Sequence, residues 1–211
     1  SFDLRKLKRS AIKSKIVYKD STKLPLKKNS DVEIVIFDDL TLKNTHYALV
    51  FNKDKKTKDP IVRIHSSCLT GDLMGSQKCD CGYQLESAID YMSKSKKMNI
   101  LIYLNQEGRG LGIHNKIMSY NIQEKGWDTY QADNILGFSG DERDYKSAVD
   151  ILRFFKVKKL SLITNNPEKV NYLKSHKITV NKIIKIKPKI NPHNKRYLET
   201  KQIIGKHLLN L

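Results

Sequence analysis

Residues 63–84 read RIHSSCLTGDLMGSQKCDCGYQ and contain all three cysteines of the chain, Cys68, Cys79 and Cys81. Before this stretch, short β-rich runs separated by polar turns predict an antiparallel region. After it, apolar residues alternate between helical spacing and buried strand runs. The sequence therefore predicts an α/β fold: a mixed sheet with flanking helices, in which a β-rich N-terminal part is followed by alternating helix and strand.

The predicted elements divide the chain at about residue 30. Residues 1–30 are rich in lysine and arginine and poor in large apolar residues, which predicts a basic arm or linker. Residues 31–211 form the second unit. Its predicted strands cover 32–37, 47–51, 61–64, 99–104 and 159–164, and its predicted helices cover 84–92, 113–122, 143–155, a segment from 168 onward, and a basic helix at 196–209.

The three cysteines follow a C-x10-C-x-C spacing, which suits a metal site. Three thiolates favour zinc, and a catalytic zinc has three protein ligands with water in the fourth position. Gly71 and Gly75 are turn residues that let the chain return to Cys79 and Cys81. His65 would instead close the site as a fourth ligand and make it structural. Core packing and a disulfide explain the cluster less well, because core thiols need not cluster and the count is odd.

Composition narrows the class of protein. With 211 residues, of which 39% are hydrophobic, the chain can bury a sizeable core. It has no apolar run of membrane-spanning length and no secretory signal pattern, so we expect a cytoplasmic protein without a membrane partner. The formal net charge of +18 indicates an anionic partner, which is nucleic acid, an anionic surface or a phosphorylated small molecule. A lysine-rich solvated surface explains the charge equally well.

Two motifs after the cysteines are candidate ligand sites. The turn EGRGLG at 107–112 follows a strand and precedes a helix, where backbone N–H groups hold phosphate, although a plain tight turn fits as well. Arg109 within it favours an anion site. TNNP at 164–167 ends a strand, which is the usual place for ligands in an open α/β sheet and also a routine turn.

Three single residues have a plain structural interpretation beside the functional one. Asp141 is by default a helix N-cap, and Tyr120 is by default a core residue. Lys169 is either a phosphate contact or a solvated lysine. Taken together, a zinc-activated water, several anion-holding elements and a basic surface predict a metal-assisted hydrolase of a phosphorylated substrate.

Ordered blocks along the chain resemble one known family. The blocks are RIHS (63–66), CLTGD (68–72), CDCG (79–82), QEGR (106–109) with Gly112, LGF (136–138), DERD (141–144) and TNNP (164–167). In this order they resemble GTP cyclohydrolase II of riboflavin biosynthesis. The resemblance extends over residues 45–211, so the second unit is expected to be the catalytic domain.

The resemblance implies conversion of GTP to formate, pyrophosphate and 2,5-diamino-6-(5-phosphoribosylamino)pyrimidin-4(3H)-one by a cytoplasmic homodimer. One zinc ion per chain would be held by Cys68, Cys79, Cys81 and a water, and Mg²⁺ would accompany the triphosphate. Asp141 would be the proton acceptor, Arg143 the nucleophile toward the α-phosphate, and Tyr120 a residue near the ring-opening chemistry. The residues that would hold GTP are Arg63, Ile64, His65, Ser66, Ser67, Gln84, Glu107, Gly108, Arg109, Thr129, Thr164 and Lys169.

The chain departs from the family at Ser67, where a glutamate normally precedes the first cysteine. This departure motivates a second hypothesis, a degenerate homologue that binds GTP without turnover. A third hypothesis is a zinc-stabilised nucleic-acid-binding protein, motivated by the +18 charge. It leaves Glu107, Asp141 and Glu142 unexplained, so nucleic acid is not the expected partner. Because a guanidinium pKa lies above about 12, we expect Arg143 to be a charge clamp rather than a nucleophile.

Overall fold

The computed structural model describes residues 15–55, 57–138 and 143–209. A seven-stranded mixed sheet runs through them, with its strands in the spatial order β1-β2-β3-β5-β4-β6-β7. The strands are β1 (Ile16–Lys23), β2 (Val32–Asp39), β3 (Asn44–Phe51), β4 (Ile61–Ser66), β5 (Asn99–Leu104), β6 (Lys159–Ile163) and β7 (Thr179–Ile184). The predicted α/β class and the mixed sheet are therefore confirmed.

Six α-helices accompany the sheet in the described ranges. They are α1 (Cys81–Ser93), α2 (Gly112–Glu124), α3 (Thr129–Ile135), α4 (Lys146–Phe154), α5 (Pro167–Ser175) and α6 (Lys195–Ile203). Helix α5 begins at the proline that the sequence placed at a helix start, and the side chain of Asn166 caps it by accepting from the backbone N–H of Glu168. None of the helices within these ranges has the length and apolar character needed to cross a bilayer.

The sheet is antiparallel on one side and parallel on the other. Strands β1, β2, β3 and β5 pair antiparallel, whereas β4 pairs parallel with β5 and β6, and β6 pairs parallel with β7. The prediction that 61–64 belongs to the antiparallel region is wrong. Four successive residues of β4, Val62 to His65, are buried, because this strand is covered on both faces as parallel strands are.

Apolar side chains cover both faces of the sheet. One core packs α4 and α5 against a face that includes Phe37, Val50 and Ile102. The other core packs α1 against the opposite face through Leu101 and Phe51. Neighbouring residues such as Leu101 and Ile102 point to opposite faces, as the strand period requires.

Three elements lie where the sequence did not predict them. Strand β1 falls inside the segment expected to be an arm, and the sequence analysis assigned no element to the residues of β7 and α3. Both strands are sheet edges on which most residues are exposed or half-buried. An edge strand has only one neighbour and carries polar residues that discourage further pairing, so it lacks the apolar alternation of an inner strand.

Two predicted helices have different limits. Helix α4 begins at Lys146 with Tyr145 at its N-cap, not at 143, and α6 ends at Ile203 rather than 209. Asp141, which the sequence suggested as the N-cap of this helix, lies outside the described residues. The N-cap of α4 is therefore a different residue from the one that the sequence suggested.

Candidate active site

The three parallel strands β4, β5 and β6 end at the same edge of the sheet. Ser66, Leu104 and Ile163 are their last residues, and the loops that follow carry the cysteines, the glycine-rich turn and the TNNP segment. The loop ends are tied together, since the backbone N–H of Ser67 donates to the carbonyl of Leu104 over 2.8 Å. Ligand sites of open α/β sheets lie at this edge.

The cysteine sulfurs form one cluster at this edge. The Sγ atoms of Cys68, Cys79 and Cys81 all lie within 4.8 Å of one another, and those of Cys68 and Cys79 are 3.7 Å apart. Three sulfurs bound tetrahedrally at the Zn–S distance of 2.3 Å would be separated by about 3.8 Å. The donor set and its spacing therefore fit zinc.

The thiols also behave as one unit electrostatically. Hydrogen bonds from Cys79 and Cys81, together with nearby Lys116, lower the pKa of Cys68, whereas the Cys68 sulfur and burial raise the pKa of Cys79 to about 11. Charge on one sulfur disfavours charge on its neighbours. A cation among the three sulfurs would remove this repulsion, which supports a metal site.

Two glycines allow the cysteine loop to close. A π-helical turn, Leu69–Leu73, follows Cys68 and places Gly71 against the sulfurs, where an added Cβ would lie 2.8 Å from Sγ of Cys79. Gly82, in the first turn of α1, approaches so closely that its Cβ would lie 2.2 Å from the carbonyl oxygen of Gly71. Any side chain at either position would push the ligands apart.

The buried carboxylate of Asp72 holds the cysteine loop in place. Asp72 accepts hydrogen bonds from the backbone N–H of Cys68 (3.0 Å) and the hydroxyl of Tyr103 (2.9 Å), and it lies 3.0 Å from Nε2 of His65. The His65 ring is 3% exposed and stacks on Tyr103. Since Nε2 faces Asp72, His65 does not join the sulfur cluster, and the closed four-ligand alternative lacks support.

The glycine-rich turn is tied to the cysteine loop through Glu107. Its carboxylate accepts from the backbone N–H groups of Leu69 (2.5 Å) and Gly108 (2.9 Å) and from Nζ of Lys116 (2.7 Å). Arg109 adopts a left-handed conformation with φ of 58°. Its guanidinium lies 4.3 Å above the ring of Tyr130. The turn thus presents a fixed cation at the edge of the site.

Helix α2 turns a polar face toward the site. Tyr120 is half-buried, with its hydroxyl 3.5 Å from that of Thr70, and burial raises the pKa of its phenol. The default assignment of Tyr120 to the core with Ile113 and Ile117 is wrong, because both isoleucines are exposed. The inward face of this helix is polar because it borders a cleft and not the hydrophobic core.

A cleft of about 810 Å³, open solvent at its mouth included, joins these elements. Eleven of its twenty lining residues are ones that the resemblance had assigned to substrate, catalysis or metal. They are Ser66, Ser67, Cys68, Cys79, Cys81, Glu107, Gly108, Arg109, Tyr120, Thr129 and Arg143. Asp141, the expected proton acceptor, lies outside the described residues.

Arg63 and Gln84 do not line the cleft but lie in a buried polar chain beneath the cysteines. The Arg63 guanidinium donates to Oε1 of Gln84 over 2.7 Å, and Nε2 of Gln84 donates to Asp80. Asp80 in turn accepts from Nζ of Lys201 over 3.1 Å. This chain of hydrogen bonds connects β4, α1 and α6 beside the cysteine loop.

Three further predicted residues, Ile64, Thr164 and Lys169, do not line the cleft. Nζ of Lys169 donates to the backbone carbonyl of Ile64 over 2.7 Å, and the Ile64 side chain belongs to the hydrophobic core. The hydroxyl of Thr164 accepts from the backbone N–H of Asn166 and fixes the TNNP turn. Their contact with a nucleotide stays a prediction.

Several cleft residues were not predicted from the sequence. Lys116 lies one helical turn before Tyr120 on the same face of α2, a spacing that offered a signal. Asp133, Tyr197, Lys201 and His207 also line the cleft, but they come from distant parts of the chain. Burial together with the nearby Lys201 and Arg143 lowers the pKa of His207 to about 3, so its ring is neutral at pH 7.

Comparison with known proteins supplies the family. The model of the family described as GTP cyclohydrolase II matches residues 17–185. GTP cyclohydrolase-2 of Psychromonas ingrahamii is 46% identical over 189 residues, which cover 89% of this chain and 94% of that protein. GTP cyclohydrolase-2 of Vibrio cholerae is 43% identical over 90% of this chain and 95% of its own length.

The chain belongs to the GTP cyclohydrolase II family. An enzyme of this type was the expectation from the sequence, which is thereby confirmed. The match begins at residue 17 and not near 45, so it includes β1 as part of the GTP cyclohydrolase II unit. Within the segment 1–30, strand β1 (Ile16–Lys23) places seven residues in register with β2, so this part of the predicted arm belongs to the sheet.

Proposed function

We propose that the protein hydrolyses GTP in a zinc-dependent reaction, releasing formate and pyrophosphate and leaving the phosphoribosylamino-pyrimidinone named above. This would be the first step of riboflavin synthesis. The observation that carries the proposal is the cluster of three cysteine sulfurs on the wall of a cleft that also contains Arg109, Arg143 and Tyr120.

A zinc ion held by Cys68, Cys79 and Cys81 would supply a Lewis acid that lowers the pKa of a water to about 7. Tyr120 borders the sulfurs, and its raised pKa keeps the phenol protonated at neutral pH. A neutral phenol in this position donates a hydrogen bond to the reacting base. Asp141, the proposed proton acceptor, is close to Arg143 in the sequence.

Pyrophosphate release needs positive charge at a separate part of the cleft. Arg109 is held by Tyr130 and by Asp133, whose carboxylate is 3.4 Å away. Arg143 lies on the same cleft. These guanidinium groups and a Mg²⁺ ion would neutralise the triphosphate.

For Arg143 we propose a charge clamp on the α-phosphate instead of a covalent nucleophile, since its guanidinium stays protonated at neutral pH. Isolation of a phosphoguanidine adduct on Arg143 from a rapidly quenched reaction would contradict this assignment. With a clamp, we expect mass spectrometry of the quenched protein to find no guanylyl group, the adduct that attack on the α-phosphate with loss of pyrophosphate would leave on Arg143.

We further propose a cytoplasmic homodimer, as the family implies. The free cysteines fit a reducing compartment, in which thiols stay available to a metal. Analytical ultracentrifugation of the purified chain tests the dimer. A single species with the 24.4 kDa mass of one chain at micromolar concentration would contradict it.

The experiment for the proposed activity is incubation of the purified protein with GTP and Mg²⁺, with and without a zinc chelator. We expect formate and pyrophosphate release that the chelator abolishes and added zinc restores. GTP binding without formate release would instead support a degenerate homologue. Salt-sensitive duplex binding with neither GTP binding nor formate release would support the nucleic-acid-binding alternative.

A ligand variant tests the metal's place in the reaction. Replacing Cys79 with serine removes one thiolate and should abolish ring opening, with formate release falling at least a hundredfold. Ser76→Ala, a change in the same loop that leaves all three sulfurs, is the control. Full formate release by Cys79→Ser would remove zinc from the mechanism.

A further inference from the structure

Lys116 contacts the sulfur cluster directly. Its Nζ lies 3.1 Å from Sγ of Cys68 and 2.7 Å from Oε1 of Glu107. The side chain is 11% exposed, and the nitrogen is 5.8 Å from the centre of the Tyr120 ring. One ammonium group therefore connects a sulfur, the glycine-rich turn and the neighbourhood of the tyrosine.

The backbone brings the Lys116 side chain close to the glycine-rich turn. An added Cβ on Gly108 would lie 3.0 Å from Cβ of Lys116, so the glycine allows α2 to approach the turn. Glu107 also accepts from the backbone N–H of Leu69, the residue after Cys68. Glu107 and the Cys68 segment, the two partners of the ammonium, are thereby held together by a contact that does not involve Lys116.

The negative charge expected on the metal-loaded cluster requires hydrogen-bond donors around it, and Lys116 is one. Three thiolates around a divalent cation keep one net negative charge, and half-buried negative charge is costly unless donors surround it. Nζ of Lys116 lies 3.1 Å from Sγ of Cys68 and donates to it, and the Glu107 carboxylate accepts from the same nitrogen over 2.7 Å.

We propose that Lys116 is a positioning residue of the metal centre, which donates an N–H···S hydrogen bond to Cys68 and fixes this sulfur relative to Glu107. The inference rests on the zinc site of the proposed function. Groups that hydrogen-bond to metal ligands orient them, and their loss costs about 10–100-fold in metal affinity. Lys116 therefore determines how firmly the metal is held, in addition to any effect on turnover.

The test uses the zinc-loaded protein and its Lys116→Met variant. Zinc transfer to an excess of a coloured chelator should be at least about tenfold faster for the variant. In the cobalt-substituted protein, loss of the N–H···S bond leaves more electron density on the sulfur. The sulfur-to-cobalt charge-transfer band should therefore move to longer wavelength, a change that a merely structural role would not produce.

Two further variants separate charge from hydrogen bonding. Lys116→Arg keeps both and should retain zinc within about threefold of the original protein, whereas Lys116→Gln keeps a donor without the charge and should fall between Arg and Met. Lys116→Gln also serves if Lys116→Met does not fold. Lys78→Met is the matched control, because Lys78 lies 5.0 Å above the same Tyr120 ring but pairs with exposed Glu124 and contacts no sulfur in the described structure.

The outcomes distinguish this inference from the proposed function. Zinc retention and a cobalt spectrum unchanged in both Lys116→Met and Lys116→Gln would overturn the role of Lys116 and leave the zinc site intact. Equal zinc loss from Lys78→Met would also overturn it, because general positive charge would then suffice. An unaltered protein that binds no zinc would overturn the metal site and this inference with it.

Discussion

Gly82 and Gly71 mark the place where two backbone segments meet beside the sulfurs of the cysteine cluster. The Cβ that an alanine would add at Gly82 lies 2.2 Å from a backbone oxygen, which cannot move aside as a flexible side chain can. The arrangement of the three sulfurs thus depends on residues that contribute no sulfur atom.

We predict that Gly82→Ala destabilises the protein. Helix propensity alone would favour alanine over glycine by about 1 kcal/mol at this position in α1, so a clash must reverse the sign. Thermal unfolding and bound zinc, measured on the same samples, should both fall. Glu86→Ala on an exposed position of the same helix is the control, and a Gly82→Ala protein at least as stable as that control would contradict the prediction.

A buried histidine, His46, makes the stability of the protein depend on pH. Burial lowers the pKa of His46 below its ordinary 6.5, against a smaller opposite effect of Asp39, and His46 accepts a hydrogen bond from the backbone of Asn105. The unfolded chain therefore binds a proton near pH 6.5 that the folded chain does not. Stability should be full above that pH and decrease as the pH falls below it.

We predict that His46→Gln, which keeps an acceptor for Asn105, reduces this loss. Between pH 6 and 5 the free energy of unfolding of the original protein should fall more steeply than that of His46→Gln. The difference in slope should be up to about 1.4 kcal/mol per pH unit for this one group. Urea unfolding at several pH values measures it, with exposed His114→Gln as the control. Identical slopes in all three proteins would show that His46 does not carry the effect.

At the level of single residues, the sequence predicted the cysteine cluster but not the cations around it. Cys79 and Cys81 are almost adjacent, and a short spacing is visible in any sequence. Lys116 is 48 residues from Cys68, and Lys201 is 121 residues from Asp80. Nothing local to a lysine in a lysine-rich chain indicates which distant anion it will meet.

Helix α6 is held over the cysteine loop by one buried ion pair. Nζ of Lys201 lies 3.1 Å from Oδ1 of Asp80, with side chains 14% and 0% exposed, and 4.4 Å above the ring of Tyr197. Breaking a buried pair by removing one partner leaves an uncompensated charge. This helix is consequently part of the site although its sequence reads as a plain basic helix.

We predict that Lys201→Met lowers the free energy of unfolding by about 3–5 kcal/mol, because Asp80 is left buried without its cation. Lys78→Met, which breaks an exposed pair with Glu124, should cost less than about 1 kcal/mol. Denaturant unfolding in the presence of zinc compares them. Adding Asp80→Asn to Lys201→Met should recover part of the loss, and failure of both expectations would contradict a role for the pair.

Elements with strong apolar patterns were predictable, and those set by tertiary contacts were not. Strand β5 has the predicted limits, because an apolar run such as Ile100 to Ile102 favours a buried strand. Helix α5 begins one residue before the predicted start at 168, because proline favours the first position of a helix. Strand β7 exposes most of its residues at the sheet edge. Helix α3 has only seven residues, although its capping box of Asp128 and Gln131 was a usable signal.

For the whole molecule, the net charge of +18 creates a field that attracts anions. We predict that the affinity for GTP falls several-fold between low and high salt, because screening shortens the reach of this field to about 3 Å at 1 M. Equilibrium binding of GTP to the zinc protein without Mg²⁺ measures the effect. Guanosine, which lacks phosphates, should bind with little dependence on salt, and equal salt dependence for both would contradict the prediction.

The polar chain from Arg63 through Gln84 and Asp80 to Lys201 has a consequence for biosynthesis. Its members are 21, 4 and 121 residues apart, and the last one is made long after the others. Without α6, Asp80 has no cation at the position where the complete fold buries it. We therefore expect the cysteine loop to reach its final arrangement only after α6 has been made and has packed against it.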